Sequence, residues 1–247
     1  MMKRHILHTL YICVVALMLA SCVADIAPLP KGWLHVAPPT KDSTTMTRTD
    51  SEIDYLVSIK KGENLIMSPI RYSQIKGAIP LSAGEDYTLL AESCTKTEAE
   101  SQPSIYGQPR YAGNKAFGIV ANKSETIKVT CSMANAAFCI VKDESFYYPE
   151  FTVTATLNGR SLTFTNLTDK GLMGYFNVGE NGKAVLSYHV TATDSEGRPG
   201  TGSGTIQLRA RTLSRLHLKA TDLGYIGIEI TYDDTFTPSI TNVVVTP

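Results

Sequence analysis

The sequence predicts an all-β fold: two tandem antiparallel β-sandwich domains behind an N-terminal leader. Three observations carry that reading. Apolar residues alternate with polar ones, as Phe151, Val153, Ala155 and Leu157 do with Thr152, Thr154 and Thr156, which is the period of a strand with one buried face. Short runs of this kind recur at strand-like intervals, separated by Gly, Asn and Pro. After Cys22 no stretch carries an apolar stripe at helical spacing. Antiparallel sheets with one apolar face pair into sandwiches. The expected organisation is a leader over 1–21, a tether over 22–31, a first sandwich over 32–142 and a second over 143–247, divided at the polar break Lys142-Asp143-Glu144-Ser145.

In the first half, Trp33 to Val36 reads as the opening strand, ended by Pro38 and Pro39. Thr40 to Ser51 is polar and is expected as an exposed loop. Tyr55, Val57 and Ile59 share a strand face, the turn Lys61-Gly62-Glu63-Asn64 follows, and Leu65 to Met67 returns. Tyr87, Leu89 and Ala91 face one way on the next long strand. Thr95 to Arg110 is polar and holds two prolines, so a long loop is expected. Phe117 to Val120, Thr126 to Cys131 and Ala137 to Val141 are the remaining strands.

The second half opens on the strongest local signal. Asn158-Gly159 sits between Phe151 to Leu157 and Leu162 to Phe164, and Asn-Gly favours a type I′ turn because both central residues need positive φ. Tyr175 to Val178 and Leu186 to Val190 read as a second hairpin about Glu180-Asn181-Gly182. Asp194 to Gly204, rich in Gly, is expected as a mobile loop. Ile206 to Ala210, Leu216 to Leu218, Ile226 to Ile230 and Val243 to Val245 follow as strands.

The leader itself is informative. Lys3 and Arg4 precede an apolar run from Ile6 to Ala20, too short to span a bilayer but typical of a secretory signal. It ends Leu19-Ala20-Ser21-Cys22, which resembles the lipobox of bacterial lipoproteins. That resemblance implies a lipoprotein signal peptide cut before Cys22, lipidation of Cys22, and a soluble body held at the outer membrane, on the cell surface, by several acyl chains including palmitate. The chain carries 23 basic and 23 acidic residues, which offers no basic footprint for nucleic acid. Cys94, Cys131 and Cys139 remain, an odd set. They read as small buried apolar residues, with a Cys131–Cys139 bridge as the alternative.

The order of elements over most of residues 20–142 resembles a set of Bacteroidetes lipoproteins of uncharacterised function with fimbrillin-like architecture. The matching pieces are Gly32 to Val36, Asp54 to Ile59, Ile79-Pro80-Leu81 with Gly84 and Tyr87, Tyr111-Ala112-Gly113 to Phe117, and Val129-Thr130-Cys131 with Asn135 and Cys139. The resemblance implies tandem sandwiches and an adhesin or fimbrial structural role in cell adhesion. It also implies that Arg48 stands where an arginine-specific protease removes a first strand, so that a strand from another fimbrial subunit fills the groove. Thr241 to Pro247 is apolar enough to be such a donor. The competing reading makes Arg48 a solvated loop residue and Val243 to Val245 a terminal strand of its own sheet.

No catalytic constellation emerges, so a non-enzymatic protein without cofactor or metal is expected. His35, His189 and His217 fall in strands, and Asp143-Glu144 and Asp233-Asp234 read as loops. Gly200 to Gly204 lacks the lysine of a phosphate-binding loop. The binding candidates are Tyr106 and Tyr111, on a loop where exposed aromatic rings would stack on surface glycans or insert into a partner protein; the competing reading has the tyrosines half-buried at the domain junction. A glycan-binding surface lipoprotein is therefore the alternative function.

Overall fold

A computed structural model describes residues 29–42, 53–165, 171–220 and 226–236. The leader, Cys22, Arg48 and Thr241 to Pro247 lie outside them. Seventeen strands occur among the described residues: β1 (Lys31–Val36), β2 (Thr40–Lys41), β3 (Leu56–Lys61), β4 (Asn64–Arg71), β5 (Ile79–Ser82), β6 (Gly84–Glu92), β7 (Tyr111–Ile119), β8 (Ser124–Ile127), β9 (Thr130–Met133), β10 (Asn135–Lys142), β11 (Glu150–Leu157), β12 (Arg160–Thr165), β13 (Met173–Asn177), β14 (Lys183–Thr193), β15 (Pro199–Arg209), β16 (Leu213–Ala220) and β17 (Ile226–Asp233). They form four sheets, ordered β5-β1-β8, β2-β9-β7-β6-β3-β4, β13-β10-β16-β17 and β12-β11-β14-β15. The all-β expectation is met.

Two apolar cores hold these sheets. The first takes Val57 and Ile59 from β3, Tyr87, Leu89 and Ala91 from β6, and Leu34 from β1. The second takes Val153 and Ala155 from β11, Leu186 and Val190 from β14, and Ile206 and Leu208 from β15. In β11, and in β6 from Tyr87 to Ala91, every second residue is buried, as the alternation requires. The predicted hairpin between β11 and β12 is present, with Asn158 at φ 50° and Gly159 at φ 81°.

β10 belongs to both cores. Ala136 and Phe138 point into the second and Ala137 and Cys139 into the first. Its sequence, NAAFCIVK, is a continuous apolar run because both faces are covered. Expected to close the first half, it pairs instead with second-half strands: antiparallel to β13 and parallel to β16.

Three further expectations are corrected. The stretch 95–110 contains a short helix, α1 (Lys96–Ser101), started by a capping box: Glu98 N donates to Thr95 Oγ1 at 3.2 Å and Thr95 N to Glu98 Oε2 at 2.8 Å. β13 and β14 do not form a hairpin, since β13 joins β10 and β14 lies in the other sheet between β11 and β15. Asp194 to Gly204 is mostly strand. Only 194–198 turn, and the buried Asp194 carboxylate accepts from Glu196 N, Arg198 N and Arg198 Nε at 2.7–2.9 Å. Those bonds, the Arg198 side chain first, hold its pKa below the ordinary carboxylate range. Glycines recur in β15 because the space above them is taken. A Cβ on Gly204 would lie 2.4 Å from the Tyr188 hydroxyl, and one on Gly200 3.0 Å from Ile226.

Cys94, Cys131 and Cys139 are free and buried, so the bridge alternative is set aside. Burial raises all three thiols, Cys131 to about 12, which leaves them unreactive at neutral pH.

Candidate functional site

The first described strand lies in the middle of its sheet. β1 pairs antiparallel with β5, Lys31 opposite Ser82 through Leu34 opposite Ile79. On its other side it pairs parallel with β8, Trp33 opposite Ser124 through Val36 opposite Ile127. The chain then keeps its direction. Ala37 N donates to Ile127 O at 2.9 Å, Thr40 N to Val129 O at 3.0 Å, and Asp42 N to Cys131 O at 2.7 Å, with β2 parallel to β9. Residues 31–42 thus form one extended arm laid along 123–131.

The side chains of the arm contribute much less than its backbone. Among the large ones only Leu34 is fully buried, while Val36 is half-buried and Trp33 and His35 point outward. Gly32 sits against a ceiling of backbone: a Cβ there would lie 2.4 Å from Val120 O and 2.7 Å from Ile119 Cγ2. The slot between β5 and β8 therefore accepts an extended segment with a glycine, then an apolar residue two positions on. At the far end, Arg211 Nη2 meets Asp42 Oδ2 at 2.7 Å, tying the arm to the second half. Tyr72 Oη donates to Val36 O at 3.4 Å.

The two tyrosines proposed as ligand contacts are occupied within the protein. Tyr111 is in β7, 2% exposed, with Lys41 Nζ 4.6 Å over its ring, so it forms a floor for the arm rather than an exposed loop contact. Its apparent loop position misled because β7 begins there. Tyr106 is half-buried: its hydroxyl donates to Thr163 O at 2.5 Å and its ring lies 5.4 Å from Phe164. This segment is pinned by Arg160, whose guanidinium donates to the carbonyls of Tyr175, Glu100 and Ile105 at 2.5–2.8 Å and covers Phe176 at 4.9 Å. Desolvation lowers the Arg160 pKa and the nearby Glu100 opposes that. The cleft of about 530 Å³ beside Arg160 has its central charges already engaged by the fold.

The acidic pairs also serve the fold. Asp233 accepts from Arg215 at 2.9 Å and Thr235 at 2.7 Å, and Asp234 from Thr212 at 2.9 Å. Asp143 lies 3.4 Å from His217. Among the described residues no group of three His, Cys, Asp or Glu side chains could hold a metal ion, and no helix is long and apolar enough to cross a membrane.

A family model described as "Domain of unknown function (DUF4493)" matches residues 31–247, from the first residue of β1 onward. The chain belongs to this DUF4493 family. A comparison with curated proteins finds no match. Among solved structures the DUF4493 chain is similar to a candidate cell adhesion protein from Bacteroides eggerthii, at 9% identity over 83% of this chain and 95% of that one, with a TM-score of 0.43. It is similar to the fimbrial anchor protein Mfa2 from Porphyromonas gingivalis, at 12% identity over 83% and 98%, with a TM-score of 0.42. A third similar structure is a candidate polysaccharide-binding protein (DUF1812) from Bacteroides thetaiotaomicron, at 9% identity over 83% and 96%, with a TM-score of 0.36.

Proposed function

We propose that this protein is a lipid-anchored, non-catalytic subunit of adhesin or fimbrial type, displayed at the outer membrane, with Cys22 as the lipidated residue. Its β1 is a removable strand in a slot that a partner subunit's strand can fill. The observation that carries this reading is the position of β1. It precedes Arg48 in the chain, lies between two hydrogen-bonding neighbours, and buries one large side chain. Removing such a strand uncovers a row of backbone donors and acceptors on both β5 and β8, and an extended segment satisfies them whatever most of its side chains are.

The test is an unboiled SDS gel of the protein from its own cells, with and without an arginine-specific protease, followed by addition of a synthetic peptide of residues 29–42. A ladder after cutting at Arg48, collapsed to monomer by the peptide, is the expected result. The same peptide carrying Gly32→Val should fail to collapse it, because its side chain would meet Val120 O. A protein that remains one monomeric band after cutting overturns the polymerising role.

A further inference from the structure

The middle of the outward face of the sheet β12-β11-β14-β15 is made of hydroxyls, between Glu150 at one end and Lys183 and Arg209 at the other. Strand register lines them up in rows. Thr152 lies opposite Thr165 on one side and Thr191 on the other, and Thr191 opposite Thr201. The next row is Thr163, Thr154, His189 and Ser203. The third is Ser161, Thr156, Ser187 and Thr205. The residues between them on each strand face inward, so the whole set faces out, half-exposed on β11 and fully exposed on most of β14 and β15.

One feature separates this face from an ordinary wet one, and a second leaves it open to a ligand. It carries no Asp, Glu, Lys or Arg at any of these positions, where a typical protein surface of this extent would hold about three or four. Its hydroxyls are also largely uncommitted. Thr156 with Ser161 at 2.8 Å and His189 with Ser203 at 2.7 Å are the pairs within it. The side chains of Thr152, Thr154, Ser187, Thr191, Thr201 and Thr205 make no hydrogen bond to protein among the described residues.

We propose that this face is a docking surface for a neutral polysaccharide. Charge complementarity selects the partner: three rows without charge, with Lys183 and Arg209 only beyond one end and Glu150 beyond the other, give an acidic polymer no run of cations to follow, and an apolar partner would leave the hydroxyls without water or a replacement. A sugar chain both donates and accepts, as each threonine does. The β-branched side chains are fixed at χ1, so ordering them costs little. They repeat at about 4.8 Å across strands and about 6.8 Å along them, a spacing on the scale of sugar rings. Val185, 58% exposed, extends the face beyond Ser187 and gives an apolar contact for a ring's C–H side. The area is a few strands wide, well under the roughly 1,200 Å² of a stable protein interface, so single contacts are weak and retention grows with repeated contacts along one polymer. This assignment stands apart from strand addition at β1.

The test is native affinity electrophoresis of the detergent-solubilised full chain in gels containing β-glucan, xylan or galactomannan, with polygalacturonate for comparison. At least one neutral polymer should slow migration while polygalacturonate does not. Thr154→Glu with Thr191→Glu should weaken that retardation about tenfold, equivalent to about 1.4 kcal/mol, at an unchanged melting temperature. Thr201→Glu, at the sheet edge, serves should the pair misfold, and should weaken it severalfold. Free migration of the wild-type chain in all three neutral polymers, or retardation that survives these substitutions, overturns the proposal.

Discussion

β1 and β10 each lie between an antiparallel neighbour and a parallel one: β5 and β8 for the first, β13 and β16 for the second. Their backbones meet nearly the same surroundings. Their side chains do not. β10 buries five consecutive residues, Asn135 to Cys139, and sends Phe138 edge-on against Phe164 and Phe176. β1 buries Gly32 and Leu34 and leaves Trp33 and His35 to solvent. Ladder bonds are nearly indifferent to sequence, so the side chains decide whether a mid-sheet strand is a fixed part of the fold or an exchangeable one. The same contrast marks the two cores: β10 walls both, and the first is also closed at one side by an arm.

The largest break in this contrast should come from Phe138→Ala. It should cost about 3–5 kcal/mol, read as a lowered midpoint in urea, because the cavity opens inside the second core against Phe164 and Phe176. Leu34→Ala removes a residue just as buried, for about 2–5 kcal/mol of local stability. Its readout should differ: hydrogen exchange should quicken along β1, β5 and β8 while the urea midpoint moves less than the local loss. A midpoint shift equal to that of Phe138→Ala would make β1 as structural as β10. The smallest effect is one of pH. The Thr235 and Arg215 contacts hold the Asp233 pKa below its ordinary value of 3.8. A depressed folded pKa means that this contribution is complete above that value and is lost as pH falls through the lowered one. The protection of the Thr235 amide, its exchange rate compared with that of an unstructured chain at the same pH, should therefore fall on acidification, while protection in β10 holds. An equal loss of protection at β10 would show that the sheet opens as one.

Much of the fold was readable locally. The alternation in β3, β6 and β11 named their buried faces, and Asn158-Gly159 named its hairpin. What depended on distant partners was not. Glu180-Asn181-Gly182 marks a turn, but nothing in those residues says that the flanking strands part into different sheets. The glycines of β15 read as a loop because the side chains that occupy their space, Tyr188 and Ile226, come from other strands. α1 is too short to show a stripe, with Ala99 its one buried residue, although Thr95-x-x-Glu98 carried its start signal. At the site, β1 was visible as a strand, but its central place between β5 and β8 is a fact of topology. Tyr111 looked exposed because its neighbours to the N-terminal side are polar.

The arm has a mechanical consequence. A pull on the chain ahead of Lys31 acts along β1, across its ladder bonds to β5 and β8, so those bonds share the load instead of opening one by one. With the lipid anchor proposed at Cys22, tension from the membrane would pass through the arm into the body while the chain through Arg48 is intact. A cut at Arg48, as proposed, would leave only the slot's grip between the lipid and the rest of the protein, and the strand that fits there would become a slip joint: the body would stay at the membrane for as long as Leu34 and the ladder hold, and depart when another strand displaces them.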